Sequence, residues 1–206
     1  GRKKIFTWGV GIVSASSLLS ALSFSVSVLI FSRIFQGIGG AMIFANGIAI
    51  LTSIFPPGER GRVLGINVAA VYTGLSCGPF LGGLLTQYLT WRSVFFIHVP
   101  LGMIILYLIF MKLEGEWAEA RGEKFDLAGS IIYGLAITAI MWGVTELPGM
   151  RSIWLLLGGV LGIAAFVKWE TRIQHPVFQI SLFRTNRVFA LSCLAALISY
   201  SATFAV

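Results

Sequence analysis

Seven apolar segments, each about long enough to cross a lipid bilayer, run through this chain of 206 residues. Hydrophobic residues make up 57% of the sequence and charged residues only 11%, whereas soluble domains usually carry about 25% charged residues. Within a bilayer every backbone polar group needs an internal partner, so such segments fold as α-helices. The sequence therefore predicts an all-α, polytopic helical bundle in a membrane. The predicted spans are 5–24, 27–54, 63–86, 93–111, 127–146, 152–168 and 188–206.

Basic residues are distributed unevenly between the two sets of connections. Twelve of the fifteen Lys and Arg residues lie on one side, Arg92 and Arg151 lie on the other, and Arg33 falls within a span. Basic residues favour the cytoplasmic side of a membrane, so we expect a cytoplasmic N-terminus and multi-pass insertion in the plasma membrane. The same distribution argues against nucleic acid as a partner, because the basic residues flank apolar segments and form no basic helix face.

The connections differ in composition. Residues 112–126 carry mixed charges and predict a solvated cytoplasmic loop, and residues 169–187 predict a connector with a short amphipathic element at the membrane surface. Glu59 to Arg62 are predicted to form a tight turn with the adjacent Pro-Pro-Gly sequence. The chain begins with Gly rather than Met and ends inside an apolar segment, which predicts an internal piece of a longer protein.

A helix face without side chains is predicted in the third span. Gly74, Gly78 and Gly82 recur every four residues, so they share one face of a helix and allow a second helix to approach closely. Pro79 lies in the middle of this face and has no N–H, so one helical carbonyl loses its partner and a bend is expected. A bent, closely packed helix suits a protein whose helices move against one another.

Arg33 is the one full charge that we place within the hydrocarbon region. A charge at the centre of a membrane helix costs about 2.5–3.5 kcal/mol on insertion scales, and such residues usually mark function. Gln36 lies beside it, and Asn46 is a further polar residue of the same span. Small residues follow Arg33 at four-residue steps, namely Gly37, Ala41, Ala45 and Ala49. Two interpretations stay open: Arg33 faces a central cavity, or it extends to the outer membrane surface.

His98, shortly before Pro100, is a second polar candidate in the fourth span. It could carry a proton near neutral pH, or act as a neutral hydrogen-bonding residue. No Asp or Glu falls clearly inside a span, and we place Glu146 at an outer end and His175 in a connector. No metal-ligand cluster, phosphate-binding loop or nucleophile motif is found, so the sequence predicts neither an enzyme nor a metal site. The two Cys residues fall inside spans and are predicted to be packing residues.

Five stretches resemble the major facilitator superfamily. Gly1 to Lys4 is similar to the end of the loop motif between family spans two and three, and Arg33 to Ala41 resembles the fourth-span motif R-x-x-Q-G-x-G-x-A. Gly74 to Gly83 resembles the antiporter motif of the fifth span. Trp91 to Gly102 is similar to the sixth-span stretch W-R-x-x-F-x-I-N-V-P-x-G, and Phe125 to Gly129 resembles F-D-x-x-G of the fourteen-span drug/proton antiporter branch.

The resemblance implies a position in a longer transporter for each part of the chain. Residues 1–111 would hold the last four spans of the N-terminal six-helix half, which are family spans three to six. Residues 127–168 would hold two extra linker spans, and 188–206 the first span of the C-terminal half. Residues 112–126 and 169–187 would be the cytoplasmic loop and connector between them.

The resemblance also implies a function: proton-coupled antiport that exports lipophilic or cationic drugs by alternating access, driven by the proton gradient without a cofactor. The implied site residues are Arg33 and Gln36 for proton coupling, Gly74, Gly78, Pro79, Gly82 and Gly83 for an antiporter seam, and Gly1, Arg2 and Lys3 for a cytoplasmic latch. Asn46 and His98, which are polar residues of the predicted spans, are candidates for further groups of the cavity. His98 stands where the branch usually has Asn.

The expected partners are a lipophilic small-molecule substrate, membrane lipids and the remainder of the same transporter chain. An exporter of one dedicated metabolite or siderophore is the alternative within the same superfamily. A seven-helix receptor or retinal protein is a distant alternative, because the span 188–206 contains no Lys for a Schiff base and the N-terminus is expected on the cytoplasmic side.

Overall fold

The computed structural model describes residues 1–113, 115, 126–173 and 176–204. Within these residues every regular element is an α-helix, as predicted, and the chain divides into two compact units, Gly1–Glu119 and Ala120–Val206. The division falls inside the segment that the sequence predicts to be a charged loop. Most of that loop, and His175, lie outside the described residues.

The first unit contains α1 (Arg2–Ala21), α2 (Val26–Ile54), α3 (Pro57–Tyr88), α4 (Trp91–Phe96) and α5 (His98–Lys112). The second contains α6 (Leu127–Thr145), α7 (Met150–Glu170), α8 (Ser181–Thr185) and α9 (Arg187–Phe204). Six stretches are long and apolar enough to cross a membrane: α1, α2, α3, α4 with α5, α6 and α7. The seventh predicted span corresponds to α9, whose described apolar part is the shorter stretch Arg187–Ser199.

The centre of the first unit is an antiparallel crossing of α1 and α2. A Cβ atom on Gly39 would lie 2.8 Å from the carbonyl oxygen of Gly9, and one on Gly9 would lie 2.9 Å from the carbonyl oxygen of Gly39. The two backbones therefore touch where only glycine fits. Nearer the other end of the crossing, the buried hydroxyls of Ser20 and Ser32 are 2.7 Å apart and form a hydrogen bond between the helices.

A third helix packs on α1 beside this crossing. Gly102 of α5 lies against Ser14 of α1, so that a Cβ on Gly102 would overlap the Ser14 hydroxyl oxygen. That hydroxyl donates to the carbonyl of Val10 at 2.8 Å, so it needs no partner from α5. Ser14 thus serves helix packing, and α1 is in contact with α2, α4 and α5 of the first unit.

The predicted span 93–111 is two helices rather than one. Helix α4 ends at Phe96 and α5 begins at His98, with Ile97 between them. Pro100 has no N–H to donate to the carbonyl of Phe96, so the regular hydrogen-bond pattern is interrupted at this point. The interruption places the His98 side chain at the junction of the two helices.

The predicted turn at Glu59 to Arg62 is wrong, because these residues form the first turns of α3. Helix α2 ends at Ile54, Phe55 and Pro56 connect the two helices, and Pro57 is the first residue of α3. A proline at this position has the correct φ angle and no unused N–H, and an acidic residue such as Glu59 in the first turn favours the positive end of the helix. Helix α3 therefore extends 32 residues, beyond the predicted 63–86.

In the second unit, α6 and α7 form an antiparallel pair through another glycine crossing. A Cβ on Gly159 would lie 2.9 Å from the carbonyl oxygen of Ala136, and one on Gly143 would lie 2.9 Å from Leu156 Cγ. The buried hydroxyl of Ser152 donates to the carbonyl of Gly143 at 2.6 Å. The predicted connector 169–187 begins later than expected, because α7 continues to Glu170, and α8 occupies part of it.

Candidate functional site

The polar residues predicted in the second span form a hydrogen-bonded chain with α1. The Arg33 guanidinium donates from Nη1 to Gln36 Oε1, and Gln36 Nε2 donates to the Ser17 hydroxyl at 2.8 Å. The Arg33 Cζ atom also lies 5.8 Å from the centroid of the Phe95 ring, within the range of a cation–π interaction. Side chains from α1, α2 and α4 thus hold the guanidinium in place. We call Arg33, Gln36, Ser17 and Phe95 the Arg33 cluster.

Arg33 keeps hydrogen-bonding capacity beyond this cluster. A guanidinium carries five N–H groups, and within the described residues one hydrogen bond from Arg33, to Gln36, is formed and no ion pair. The side chain is exposed and lies seven residues after the start of α2, or about 10 Å along the helix axis. An oriented cation with unused donors can bind a carboxylate or another anionic group that approaches this surface.

The glycines of α3 form an open face. A Cβ on Gly74, Gly78, Gly82 or Gly83 would have no neighbouring atom within 4 Å, apart from the helix itself. No described residue of α3 is buried, and the helix is continuous through Pro79. The bare face predicted from the glycine spacing is therefore present, but no helix of the described chain packs against it.

The basic residues at the start of α1 lie against the ends of two other helices. Arg2 Nη1 donates to the Ser53 hydroxyl at 2.6 Å and to the Ala49 carbonyl at 3.4 Å, near the end of α2. Lys3 Nζ donates to the carbonyl of Leu113, just after α5. The C-terminal ends of helices carry partial negative charge, which favours cations there. Gly1, the residue before α1, accepts a hydrogen bond from the N–H of Ile5 at 3.2 Å.

The opposite end of α1 is also held by a hydrogen bond from an arginine of another helix. Arg92 donates from Nη2 to the carbonyl of Ser23, which follows α1, at 2.9 Å. Its guanidinium lies 4.6 Å from the centroid of the Trp91 ring. The Trp-Arg pair at the start of α4 therefore ties that helix to the end of α1.

Asn46 and His98 form local hydrogen bonds. Asn46 Nδ2 donates to the carbonyl of Met42 at 2.8 Å, and His98 Nδ1 lies 2.9 Å from the carbonyl oxygen of Val94. Each bond reaches the residue four positions earlier in the chain. Within the described residues, neither side chain takes part in the Arg33 cluster.

A groove of about 520 Å³ lies between the end of α2 and the start of α3. It is lined by Leu51, Phe55, Glu59, Arg62, Val63, Ile66, Asn67 and Ala70. Leu51 lies eighteen residues beyond Arg33, or about 27 Å along α2. The groove therefore lies at the opposite end of α2 from the Arg33 cluster. The described residues contain no group of three His, Cys, Asp or Glu side chains that could hold a metal ion.

Two members of the Arg33 cluster, Ser17 and Phe95, are not among the predicted site residues. Gln36 could be predicted beside Arg33, because residues three apart share a face of a helix. Ser17 and Phe95 come from other helices, and only the packing of those helices brings them near. A sequence signal exists for Phe95, which matches the Phe of the stretch that resembles the family's sixth span, whereas none distinguishes Ser17 from the other serines of α1.

The helices and their glycine crossings define a polytopic helical membrane protein, and sequence comparison defines its class. The whole chain, residues 1–206, matches the Major Facilitator Superfamily. The chain therefore belongs to this family, whose members are transporters.

Curated relatives include several exporters. The chain is 31% identical to the Tetracenomycin C resistance and export protein of Streptomyces glaucescens over 98% of its own length and 38% of the relative's. It is 33% identical to the Multidrug resistance protein Stp of Mycobacterium tuberculosis over 89% of the chain and 35% of the relative. It is 28% identical to the Riboflavin transporter RibZ of Clostridioides difficile over 100% of the chain and 45% of the relative. The chain thus spans about two fifths of the length of these relatives.

Proposed function

We propose that this chain is part of a proton-coupled antiporter that exports lipophilic, often cationic compounds by alternating access. The observation that supports the proposal is the Arg33 cluster, in which residues of α1, α2 and α4 are linked to a guanidinium on a helix that is long and apolar enough to cross a membrane. Ionisable residues inside a membrane are rare and usually take part in ion or substrate pathways. Arg33 would bind a carboxylate on a span outside this chain and respond when that carboxylate gains or loses a proton.

The second part of the proposal concerns α3. Transporters of this kind move substrate by rocking two halves around a site near the midplane. The open face of Gly74, Gly78, Pro79, Gly82 and Gly83 would be the seam on which a helix from the remainder of the transporter packs. Nothing within the described chain occupies this face, which leaves it available for such a helix.

The third part concerns topology. We propose that the start of α1 lies in the cytoplasm of a cell whose plasma membrane holds the transporter. Gly1, Arg2 and Lys3 would form a cytoplasmic latch that favours the outward-open state. The contacts of Arg2 and Lys3 with the ends of α2 and α5 support this role, because they already hold three helix ends together on one side.

The domain positions follow from the same proposal. Residues 1–111 would be family spans three to six, 127–168 the two extra linker spans, and 188–206 the start of the C-terminal half. Asn46 and His98 would contribute polar groups to the substrate cavity. The remainder of the cavity would come from spans that this chain does not contain.

The test uses the full-length protein in everted membrane vesicles. We expect ethidium, a lipophilic cation, to collapse a respiration-generated pH gradient in vesicles with the parent protein. Arg33→Ala should slow this collapse by about tenfold or more, because the acid that it pairs with would lose its counter-charge. Arg151→Ala removes an exposed arginine at the start of α7 and should leave the rate unchanged. Gradient-driven transport by Arg33→Ala at the parental rate would contradict the coupling role.

An exporter of one dedicated compound is the second candidate. It is favoured by relatives whose names state a single compound, such as the Cephamycin export protein CmcT of Amycolatopsis lactamdurans and the riboflavin and tetracenomycin proteins above. In the vesicle experiment, an exporter of one dedicated compound predicts no response to ethidium in either the parent or Arg33→Ala. A polar metabolite that collapses the pH gradient with the parent protein but not with Arg33→Ala would then support this second candidate.

A further inference from the structure

The groove between the end of α2 and the start of α3 is lined by one face of α3. Arg62, Ile66 and Ala70 line it at four-residue steps, so they lie one above another along the helix. Leu51 and Phe55, from the end of α2 and the residue after it, complete the lining. With a volume of about 520 Å³, the groove is within the size range of small-ligand sites.

The lining changes in character along α3. Glu59 and Arg62, in the first two turns of the helix, are charged and exposed. The next lining residues, Val63 and Ile66, are apolar. Ala70, the last of them, lies about 16 Å beyond Glu59 along the helix axis. The groove therefore presents both charges at one end and mainly apolar surface over the rest of its length.

Three polar side chains of this face keep their hydrogen-bonding capacity. Among the described residues, Glu59 and Arg62 form no ion pair and the Asn67 amide forms no hydrogen bond. Arg60 is used differently, because its Nε donates to the carbonyl of Phe55 at 3.2 Å. The groove thus offers a carboxylate, a guanidinium and an amide to a ligand that enters it.

The groove lies at the level of the lipid headgroups. Helices α2 and α3 are both long and apolar enough to cross a bilayer, and the groove is at the point where α2 ends and α3 begins. Charged side chains at such helix ends reach the headgroup region, while apolar residues deeper in the span face acyl chains. A phospholipid has the same order of groups, with charge at one end and apolar length below it.

We propose that the groove binds one phospholipid with a zwitterionic ethanolamine headgroup, phosphatidylethanolamine. Arg62 donates to the lipid phosphate and Glu59 accepts from the lipid ammonium, so the two opposite charges of the groove meet the two charges of the headgroup. Asn67, five residues deeper than Arg62, donates to an ester carbonyl, and an acyl chain lies against Ile66 and Phe55. An apolar helix in the same place would leave both charged side chains without partners.

Native mass spectrometry of the full-length protein with defined phospholipids tests the headgroup contacts. We expect the parent to retain phosphatidylethanolamine more strongly than phosphatidylcholine, whose quaternary ammonium has no N–H to donate to Glu59. Glu59→Gln should remove most of this preference, and Arg62→Gln should lower the retention of both lipids about fivefold. Arg60→Gln is the matched control and should keep the parental preference, because Arg60 donates to the backbone of Phe55.

Two neighbouring alanines of α3 test the apolar part of the groove in the same measurement. Ala70→Trp places a large ring in the groove, whereas Ala69 is exposed and is not among the described lining residues. We expect Ala70→Trp to lose the bound lipid and Ala69→Trp to retain it. The measurement requires no transport, so its result is independent of the proposed antiport.

Three results would overturn the proposal. Equal retention of lipid by Ala70→Trp and Ala69→Trp, or equal retention of phosphatidylethanolamine and phosphatidylcholine by the parent, would show that the groove does not hold this lipid. Stronger retention of phosphatidylglycerol would indicate general attraction of anionic lipids to basic residues. A photo-cross-linker at Ile66 that captures another segment of the protein rather than lipid would identify a protein occupant.

Discussion

Two glycine faces in the first unit have opposite surroundings. At the crossing of α1 and α2, Gly9 and Gly39 bring two backbones into contact, and a Cβ on either residue would meet a carbonyl oxygen within 3 Å. On α3, Gly74, Gly78 and Gly82 have no neighbour within 4 Å. The spacing of small residues predicts that a helix can be approached closely, but it does not identify the helix that approaches.

The difference in surroundings distinguishes glycines that pack helices within the unit from glycines whose face stays open. The α1–α2 crossing is completed within the chain, so its glycines contribute to the stability of this unit. The α3 face is completed by no described residue, so its glycines contribute little to the stability of the unit and are free to serve contacts with another part of a longer protein. Substitutions at the two faces should therefore affect different properties.

The largest effect is expected for Gly39→Leu. The new side chain would collide with the backbone of α1 at Gly9. Because two packed backbones cannot separate locally, we expect the free energy of unfolding to fall by about 3 kcal/mol. We expect a large loss of folded protein, measured by its yield and its thermal unfolding in detergent. Gly40→Leu is the control, since a Cβ on Gly40 has open space, and normal unfolding of Gly39→Leu would disprove the close crossing.

The next effect is expected for Gly78→Leu, and it concerns transport rather than folding. The side chain would hold a partner helix away from α3 and reduce export by the full-length protein by about tenfold or more. Membrane insertion and unfolding should be unchanged, because no described residue contacts this face. Export is measured as ethidium efflux from cells.

Gly65→Leu provides the control for this prediction. Gly65 is on the same helix, also has open space, and lies thirteen residues before Gly78, on roughly the opposite side of α3. We expect normal efflux from this variant. Equal efflux by Gly65→Leu and Gly78→Leu would mean that the glycine face has no special role.

A smaller effect is expected for Ser20→Ala at the closed crossing. The substitution removes the hydrogen bond between the Ser20 and Ser32 hydroxyls, while Ser32 still donates to the carbonyl of Leu29 at 2.8 Å. Interhelical hydrogen bonds in membranes contribute about 0.6 kcal/mol on average, and we expect the free energy of unfolding in detergent to fall by that amount. Ser76→Ala on the exposed helix α3 should leave this free energy unchanged. An equal decrease in both variants would contradict the difference between the closed crossing and the open face.

The smallest effect is expected for His98→Asn. The His98 ring is exposed and bonds to the carbonyl of Val94, and Asn46 shows that an Asn side chain makes the same bond to a carbonyl four residues earlier. We expect the rate of ethidium efflux by the full-length protein to change by about twofold or less. A loss of efflux of about tenfold or more would show that the imidazole of His98 has a role that an amide cannot fill.

The positions of six spans could be predicted from hydropathy, because the bilayer requires long apolar helices whatever their neighbours are. The contact of Gly9 with Gly39 could not be predicted, because it depends on the register between two helices rather than on the spacing within one. Gln36 can be predicted beside Arg33 because both are on α2. Ser17 cannot, because it is on α1 and depends on how the two helices pack.

The end of α7 shows a second limit of prediction. The sequence places Glu170 in the predicted connector 169–187, whereas the structure continues α7 to this residue and buries it. The F-D-x-x-G stretch accounts for one side of this region, since Asp126 caps α6 through the N–H of Gly129. The other side is supplied by α7, which is 43 residues further along the chain at Trp169.

The contacts at the two ends of α1 have a mechanical consequence. Arg2 and Lys3 join its start to α2 and α5, and Arg92 joins its end to α4, so we expect these helices to move together as one rigid body. Among the described residues, helix α3 contacts α2 and α4, its neighbours in sequence. Spin labels placed within the rigid body should therefore keep constant separations through the transport cycle, whereas a label at the middle of α3 should change its distance to all of them.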